Sequence, residues 1–286
     1  MAEELGRDAW LQWRKNGIGS SDAAVVHGES KWSTIAKLYH SKTTAEIEEE
    51  NSFIMDKGNE YEPMARQLFS AQYNLINGTE EKFEARRFVS ADLPILQASL
   101  DGMSFSCEDI AEFKYQGKEA HDRMMDLTLP VKGGRVPLYY WIQCQHQLLV
   151  TGAKRCHFVS YNPAFDKYSV NVVIVEPDEN FFRDHIQACT KFWQHVIDRN
   201  PPELSARDYK KVRVKDAKAL GQKYLEAAKL YETARFNLKA VETEVIALSP
   251  HDRFRVGGLL VTKIIDTAKA DPSVYYKIEE DPWEKQ

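Results

Sequence analysis

The sequence has few cysteines, no long apolar run and no excess of positive charge. Only four of its 286 residues are cysteines, and no two of them form a C-x-x-C pair. This pattern argues against a zinc or iron–sulfur site and predicts reduced, mostly buried thiols. No run approaches the roughly 18 apolar residues of a membrane span, and the start lacks a basic-then-apolar leader. We therefore expect a cytosolic protein without a membrane segment.

The net charge of −5 is not that of a typical nucleic-acid-binding protein. It does not exclude nucleic acid as a ligand, because charge acts locally and an enzyme that holds metal ions on acidic side chains carries extra negative charge. An apolar content of 43% and a charged content of 28% indicate a globular chain with a substantial core.

Apolar periodicity predicts alternating helices and strands over the first 200 residues. The predicted helices cover 4–16, 31–42, roughly 60–73, 136–152 and 177–199, and the predicted strands cover 82–90, 95–105, 109–115, 154–162 and 167–176. Because proline fits only the first turn of a helix, Pro63 predicts a helix start near Asn59 or Glu60. Gly102 is interpreted as a turn between two strands.

The segment "NPPELS" at 200–205 interrupts this pattern. Beyond it, 214–247 has long helical periodicity, and 253–264 is typical of a hairpin with a Gly257-Gly258 turn. We therefore predict a core domain over 1–205 and a helix-plus-hairpin extension over 206–286.

Two carboxylates and an ammonium stand close together in "LDGMSFSCEDIAEFKY". Glu112 and Lys114 are two apart and project from one face of a strand, and Asp101 lies on the preceding strand. Adjacent carboxylates repel unless a cation lies between them, and Asp and Glu oxygens suit Mg²⁺ or Mn²⁺. Lys114 would then stabilise an attacking hydroxide or the charge on phosphorus. The alternative is a cross-strand ion pair on a solvated sheet face, and these residues alone leave both interpretations open.

Several ordered motifs carry a resemblance that covers most of residues 10–176. They are "WRKNGIGSSDA", "KGNEYEPMARQLF", "SLDG", "EFK" and "YYWIQCQHQLLVTGAKRCHFVSYNP". In this order they resemble the YqaJ-type viral recombinase and phage lambda exonuclease family, within the PD-(D/E)xK nuclease superfamily. The resemblance implies an α/β (α+β) fold, in which helices flank a mixed central β-sheet of the restriction-endonuclease type.

The resemblance also implies roles for individual residues of the acidic motifs. Asp101, Glu112 and Glu62 would be metal ligands together with the backbone carbonyl of Phe113, and Lys114 would be the catalytic lysine. Glu60 is two residues from Glu62, about 200° around a helix, so only one of the two can face the site. The "YEPMAR" match favours Glu62. The alternative for either glutamate is a solvated first-turn residue stabilised by the helix dipole.

A second set matches residues that bind the 5′-phosphate of the digested strand in lambda-type members. These residues are Arg14, Ser21, Ser99 and Gln143, with Ser20 and Gln147 as further candidates. Arginine grips phosphate bidentately, and hydroxyl and amide donors complete such a pocket. The serines are equally explained as helix caps, and the glutamines as an amphipathic surface face.

The activity implied is a Mg²⁺-dependent DNA exonuclease, with Mn²⁺ as a substitute, that digests linear double-stranded ends from 5′ to 3′. It would leave 3′ single strands for phage-type recombination beside a single-strand annealing protein. The family resemblance further implies a homo-oligomer, specifically a trimeric ring, in the cytoplasm of a bacterial host and encoded by a phage or prophage. Two alternatives stay open: an endonuclease or junction resolvase on this fold, and a catalytically inactive DNA-binding or assembly protein.

Overall fold

The computed structural model describes residues 7–44, 53–165, 170–211, 214–266 and 273–282. The chain divides into two compact units, 1–210 and 211–286. Residues 206–208 belong to the first unit, where Arg207 donates to the Ser30 carbonyl at 2.7 Å and Asp208 accepts from Thr34. Within the described ranges, no helix combines the length and apolar character that crossing a membrane requires.

The first unit alternates helices and strands as the sequence predicts. Its elements are α1 (Arg7–Lys15), α2 (Ser20–Val26), α3 (Ile35–Thr43), α4 (Phe53–Asn77), β1 (Glu84–Val89), β2 (Gln97–Met103), β3 (Asp109–Tyr115), α5 (Lys118–Arg123), α6 (Leu138–Thr151), β4 (Arg155–Tyr161), β5 (Asn171–Val175), α7 (Glu179–Ile197) and a short 3₁₀ turn (Ala206–Asp208).

The five strands form one mixed sheet in the order β1-β2-β3-β4-β5. Only β3 and β4 are parallel, because the crossover between them contains α5 and α6. Alternate residues of β3 pack in opposite directions: Ile110 joins the core cluster that contains α6, whereas Ala111 and Phe113 join the cluster that contains α4. The predicted mixed sheet with flanking helices is therefore confirmed.

The start of α4 differs from the prediction. The helix begins at Phe53, and Pro63 lies in its interior rather than in its first turn. Proline removes the donor that would bond the carbonyl of Asn59, four residues earlier. Asn59 and Pro63 are both exposed, so solvent can satisfy that carbonyl. The prediction of a start near Asn59 or Glu60 was wrong for this reason.

Gly102 does not form a turn; it lies inside β2. The turn follows at 104–108, where the Ser104 amide donates to the Asp109 carbonyl at 2.9 Å. A Cβ atom at Gly102 would lie 3.2 Å from Cβ of Phe83 and 3.4 Å from the ring of Phe113. The glycine therefore serves close packing between the sheet and its neighbours, not a change of chain direction.

The second unit contains α8 (Ala217–Ala247) and the strands β6 (Arg253–Val256), β7 (Leu259–Asp266) and β8 (Ser273–Glu280). The predicted β6–β7 hairpin is confirmed, with φ values of +50° at Gly257 and +78° at Gly258. The strand β8 pairs along the full length of β7 and completes an antiparallel sheet that the sequence did not predict.

Candidate active site

The carboxylates of Asp101 and Glu112 lie where two neighbouring strands separate. The ladder between β2 and β3 consists of Gly102 opposite Ala111 and Met103 opposite Ile110. Continuing that register sets Asp101 opposite Glu112, on the same side of the sheet. Beyond the last rung, the Phe113 amide donates to Oδ2 of Asp101 at 3.0 Å instead of to a strand carbonyl. The separation thus opens a polar cleft at this edge.

Glu112 is almost completely buried, at 1% exposure, and its carboxylate is surrounded by donors. Gln143 donates to Oε1 at 2.6 Å and Gln147 donates to Oε2 at 2.5 Å, both from one face of α6. Lys114 forms an ion pair with the same carboxylate. Gln145 points away and donates to the Glu176 carbonyl at 2.7 Å. The glutamine pair therefore lies at a largely buried polar site and not on an amphipathic surface face.

Lys114 is held in its charged form. Burial disfavours an ammonium, but the carboxylates of Glu112 and Asp101 outweigh that effect and raise the pKa of Lys114 above its usual value. Its Nζ also lies 5.3 Å from the centre of the Tyr140 ring. The lysine therefore supplies a fixed positive charge and hydrogen-bond donors at the cleft.

The pKa values of Asp101 and Glu62 are both raised above those of ordinary surface carboxylates. Desolvation and the negative charges of Glu112 and Glu62 raise the pKa of Asp101 well above its usual value, despite Lys114. Desolvation also raises the pKa of Glu62, with repulsion from Glu112, although Arg66 pairs with Glu62. The three carboxylates therefore share one electrostatic environment with a single lysine.

Glu60 faces away from this environment. Its carboxylate is paired with Lys57 at 2.6 Å and its side chain is 53% exposed. Glu62 instead lies beside Phe113 and Lys114, near enough to Glu112 for the two carboxylates to repel each other. The geometry thus agrees with the choice of Glu62 over Glu60. We call Glu62, Asp101, Glu112 and Lys114 the acidic cluster; its oxygen donors suit a hard divalent cation such as Mg²⁺.

A second cluster lies at the start of α2. Arg14 donates to Oγ of Ser21 at 2.8 Å and to Oδ1 of Asp22 at 3.0 Å. Lys42, with 4% side-chain exposure, pairs with Oδ2 of Asp22 at 2.7 Å. Ser20 is 5% exposed, and its hydroxyl has no partner among the described residues. We call Arg14, Ser20, Ser21, Asp22 and Lys42 the basic cluster.

Asp22 is ionised in this setting. Burial works against the charge, but Lys42, Arg14 and the amide of Gly19 lower the pKa of Asp22 to about 2. Burial lowers the pKa of Lys42, although Asp22 opposes that shift. The carboxylate therefore orients Arg14 beside the hydroxyl of Ser21. An arginine and two serines held in this way can bind a phosphate.

Ser99 lies on β2, two residues before Asp101, and its side chain is exposed. The loop before α2 runs beside the start of this strand, since Ile18 forms a parallel bridge with Leu96. Gly17 permits this approach, because a Cβ there would lie 2.6 Å from the Gln97 side chain. The same region of the fold thus carries Ser99 and the basic cluster.

Three histidines, of which His146 and His185 are buried and His27 is half-buried, connect the elements behind the two clusters. The Gln97 carbonyl can only accept, so Nε2 of His146, 2.9 Å away, carries the proton. His146 Nδ1 then accepts from His185 at 2.8 Å, and His185 accepts from His27 at 2.8 Å. Burial lowers the pKa of His146 to about 4 and that of His185 to about 2, so both are neutral. This chain fixes α2, α6 and α7 to β2.

Sequence reasoning missed Asp22, Lys42 and the histidine chain. Asp22 and Lys42 are 20 residues apart, and neither belongs to a periodic pattern that identifies a buried pair. His27 directly follows α2, whereas His146 and His185 belong to α6 and α7, so no spacing within one segment reveals them. A useful signal was available for Asp22 alone, as an acidic residue three positions after Gly19 at a helix start.

The chain is similar to a known protein family. The model of the YqaJ-like viral recombinase domain matches residues 9–154, more than half of the chain. The YqaJ protein of Bacillus subtilis (strain 168) is 24% identical over 232 residues, which are 73% of this chain and 64% of that protein. The chain thus matches less than two thirds of the length of this relative.

Two solved structures share the fold. An alkaline exonuclease, LHK-Exo from Laribacter hongkongensis, superposes with a TM-score of 0.54 and 22% identity over 68% of this chain and 94% of that chain. LHK-Exo in complex with dAMP gives the same TM-score and coverage at 23% identity. At these identities the likeness concerns the fold. On the strength of the matched domain model and the shared core, the chain belongs to the YqaJ-like viral recombinase family.

Proposed function

We propose that this protein is a Mg²⁺-dependent DNA exonuclease that digests linear double-stranded ends from 5′ to 3′. The observation that carries the proposal is the acidic cluster, in which three carboxylates and one lysine meet at the separation of β2 and β3. Family membership supports a role in phage-type recombination. The LHK-Exo structures, described as those of an alkaline exonuclease, support hydrolysis from DNA ends.

The donor set fits a divalent cation. Desolvation and mutual repulsion raise the pKa of Asp101 and Glu62, and a cation between the carboxylates would remove the repulsion. Asp101, Glu112 and Glu62 would hold Mg²⁺ or Mn²⁺, with the carbonyl of Phe113 as a further oxygen donor. When bound, such an ion polarises the scissile phosphate and favours ionisation of the attacking water.

The side chains of the cleft have separate tasks in phosphodiester hydrolysis. Lys114, held cationic, would stabilise the negative charge of the attacking oxygen and of the phosphate as the bond to the 3′-oxygen breaks. Gln143 and Gln147 fix the orientation of Glu112 through its two oxygens. Preorganised donors of this kind avoid reorientation during the reaction.

The basic cluster supports the 5′-to-3′ polarity within the proposal. Arg14, Ser21 and Ser20 would bind the terminal 5′-phosphate, with Ser99 between this pocket and Asp101. Gln143 would reach the substrate only by sharing its amide with Glu112, to which it already donates. A bound terminal phosphate sets the distance from the end to the cleaved bond.

The proposal includes a homotrimeric ring and a single-strand annealing protein as partner, in a phage-infected or prophage-carrying bacterium. A ring would reconcile a net charge of −5 with DNA binding, because basic side chains could line the channel while the outside stays acidic. Sedimentation of the protein as a monomer at micromolar concentration would contradict the ring.

The activity is tested with linear duplexes that carry a 5′-phosphate or a 5′-hydroxyl, in the presence of Mg²⁺. We expect digestion of the phosphorylated ends, and a loss of roughly 10²–10³-fold in rate for Lys114→Ala and Asp101→Asn with DNA binding retained. Glu60→Gln is the matched control, since Glu60 is on the same helix as Glu62 but faces solvent.

Failure to digest any linear end would overturn the exonuclease assignment. A closed circular duplex separates the remaining outcomes. Cleavage of the circle indicates an endonuclease or junction resolvase, whereas DNA binding without cleavage of either substrate indicates an inactive binding or assembly protein.

A further inference from the structure

The helix α8 carries an apolar seam that the described residues of its unit leave largely exposed. It has 31 residues, about 46 Å at 1.5 Å per residue, and none of them is buried. Leu220, Tyr224, Tyr231 and Leu238 are all at least 60% exposed. Monomeric proteins rarely leave such an extended row of large apolar side chains in water, so the row indicates a contact surface.

The seam repeats with the spacing of a coiled coil. Apolar residues recur in alternating steps of three and four, without an exception, at Ala217, Leu220, Tyr224, Ala227, Tyr231, Ala234, Leu238, Val241, Val245 and Leu248. An average step of 3.5 residues keeps one face of a helix in contact with another helix that has the same repeat. The spacing therefore specifies a helical partner rather than a sheet or an extended peptide.

The sizes of the seam residues fit a second copy of α8 that runs in the opposite direction. When the two copies are aligned about their common midpoint, all ten positions find a partner. The layers are then Ala217–Leu248, Leu220–Val245, Tyr224–Val241, Ala227–Leu238 and Tyr231–Ala234, each occurring twice. Three of the five layers set a large side chain against an alanine, which keeps the layer volume even.

A parallel pair would pack less evenly. Each seam residue would then meet its own copy, so Tyr224 and Tyr231 would form double-tyrosine layers next to the double-alanine layers of Ala227 and Ala234. Alternating overfilled and underfilled layers costs packing energy in both. The sequence therefore favours the antiparallel arrangement.

The charges that flank the seam favour the same arrangement. In the antiparallel alignment Lys223 of one helix lies beside Glu244 of the other, and the two-fold symmetry creates this pair twice. In a parallel alignment Lys223 would face Ala228, and Glu244 would have no flanking lysine. We propose that α8 is an antiparallel self-association element that joins two copies of this chain, independently of any contact made by the core.

The first test measures the mass of the full-length protein by sedimentation or light scattering. Leu238→Glu inserts a charge into the seam and should halve the mass of the wild-type assembly. Phe236→Glu is the matched control: Phe236 is 75% exposed on the same helix but lies off the seam, so the mass should not change. A monomeric wild type, or a Leu238→Glu variant with unchanged mass, overturns the proposal.

The second test determines the direction of pairing. Lys223→Glu alone should weaken association roughly tenfold by opposing Glu244, and the double change Lys223→Glu/Glu244→Lys should restore it. If the single change has no effect, the antiparallel alignment is wrong. A disulfide-linked dimer of Ala227→Cys, made together with Cys107→Ser to remove the exposed native thiol, would show parallel pairing and overturn the proposal in the same way, since the antiparallel alignment separates the two copies of residue 227 by about 16 Å along the helix axis.

Discussion

The two polar clusters of the first unit have opposite charge ratios, and the pKa values of their aspartates differ accordingly. In the acidic cluster three carboxylates accompany one lysine, and the pKa of Asp101 is raised. In the basic cluster Asp22 lies between Arg14 and Lys42, and its pKa is lowered to about 2. Desolvation raises the pKa of both aspartates, and the charges of their neighbours decide the direction of the net shift.

The difference shows how the aspartate of each cluster affects the stability of the fold before any ligand binds. The ionised Asp22 stabilises the fold, because both of its cationic neighbours favour the charge. The ionised Asp101 destabilises it, because desolvation and repulsion from two other carboxylates are only partly offset by Lys114. Uncompensated repulsion of this kind is typical of sites at which a ligand supplies the balancing positive charge. Three substitutions test this contrast.

The largest effect is expected for Asp22→Asn. Since the pKa of Asp22 falls from 3.8 to about 2 on folding, its contribution is present above pH 3.8 and disappears as the pH falls towards 2. We expect the variant to lose about 2 kcal/mol of unfolding free energy at pH 7, measured by urea denaturation. The exposed Glu60→Gln should lose almost nothing. A loss for Asp22→Asn that stays constant down to pH 3 would show that charge is not the cause.

An intermediate effect is expected for Arg14→Gln. This change leaves a neutral side chain beside Ser21 and removes the bidentate donor for a terminal phosphate. The preference for a 5′-phosphorylated over a 5′-hydroxyl duplex, measured as the ratio of KM values, should fall about tenfold. Arg183→Gln, on the exposed side of α7, is the control and should keep the ratio. An unchanged ratio in Arg14→Gln would remove Arg14 from the phosphate site.

The smallest effect is expected for Asp101→Asn, which should raise the free energy of unfolding and not lower it. Because the pKa of Asp101 is raised by folding, its contribution is present below pH 3.8 and is lost as the pH rises through the folded value. Asp101→Asn keeps an acceptor for the Phe113 amide and removes the repulsion. In EDTA at pH 8 the variant should therefore be more stable than the wild type, by about 1 kcal/mol.

Adding Mg²⁺ provides the control for this prediction. The ion should stabilise the wild type more than Asp101→Asn, because only the wild type keeps all three carboxylates. If Asp101→Asn is less stable than the wild type in EDTA, the carboxylate of Asp101 does not destabilise the fold.

The acidic cluster could largely be predicted from sequence, since strand periodicity sets Glu112 and Lys114 on one face whatever surrounds them. Glu62 is different: Glu60 is an equally plausible first-turn glutamate, and only the motif match distinguished the two. The interior position of Pro63 could not be predicted either. It depends on whether the Asn59 carbonyl faces solvent, which is a property of the folded helix and not of the local sequence.

The basic cluster could be predicted only in part. Arg14 and Ser21 belong to a recognisable motif, whereas Lys42 meets Asp22 only because α3 packs beside α1 and α2. In the second unit the Gly257-Gly258 turn predicts its hairpin directly. The strand β8 is separated from β7 by residues 267–272, which lie outside the described ranges. Its pairing with β7 could not be predicted from a two-residue turn motif of the kind that marks the first hairpin.

Gly102 of β2 and Ala111 of β3 are the two smallest amino acids, and they are paired directly beside the carboxylates. The packing of Phe83 and Phe113 against Gly102 leaves no room for even a methyl group without a shift of its neighbours. The spacing between Asp101 and Glu112 therefore depends on the close packing of apolar side chains around Gly102. A substitution at Gly102 would change that spacing while leaving every charged group of the cluster in the sequence.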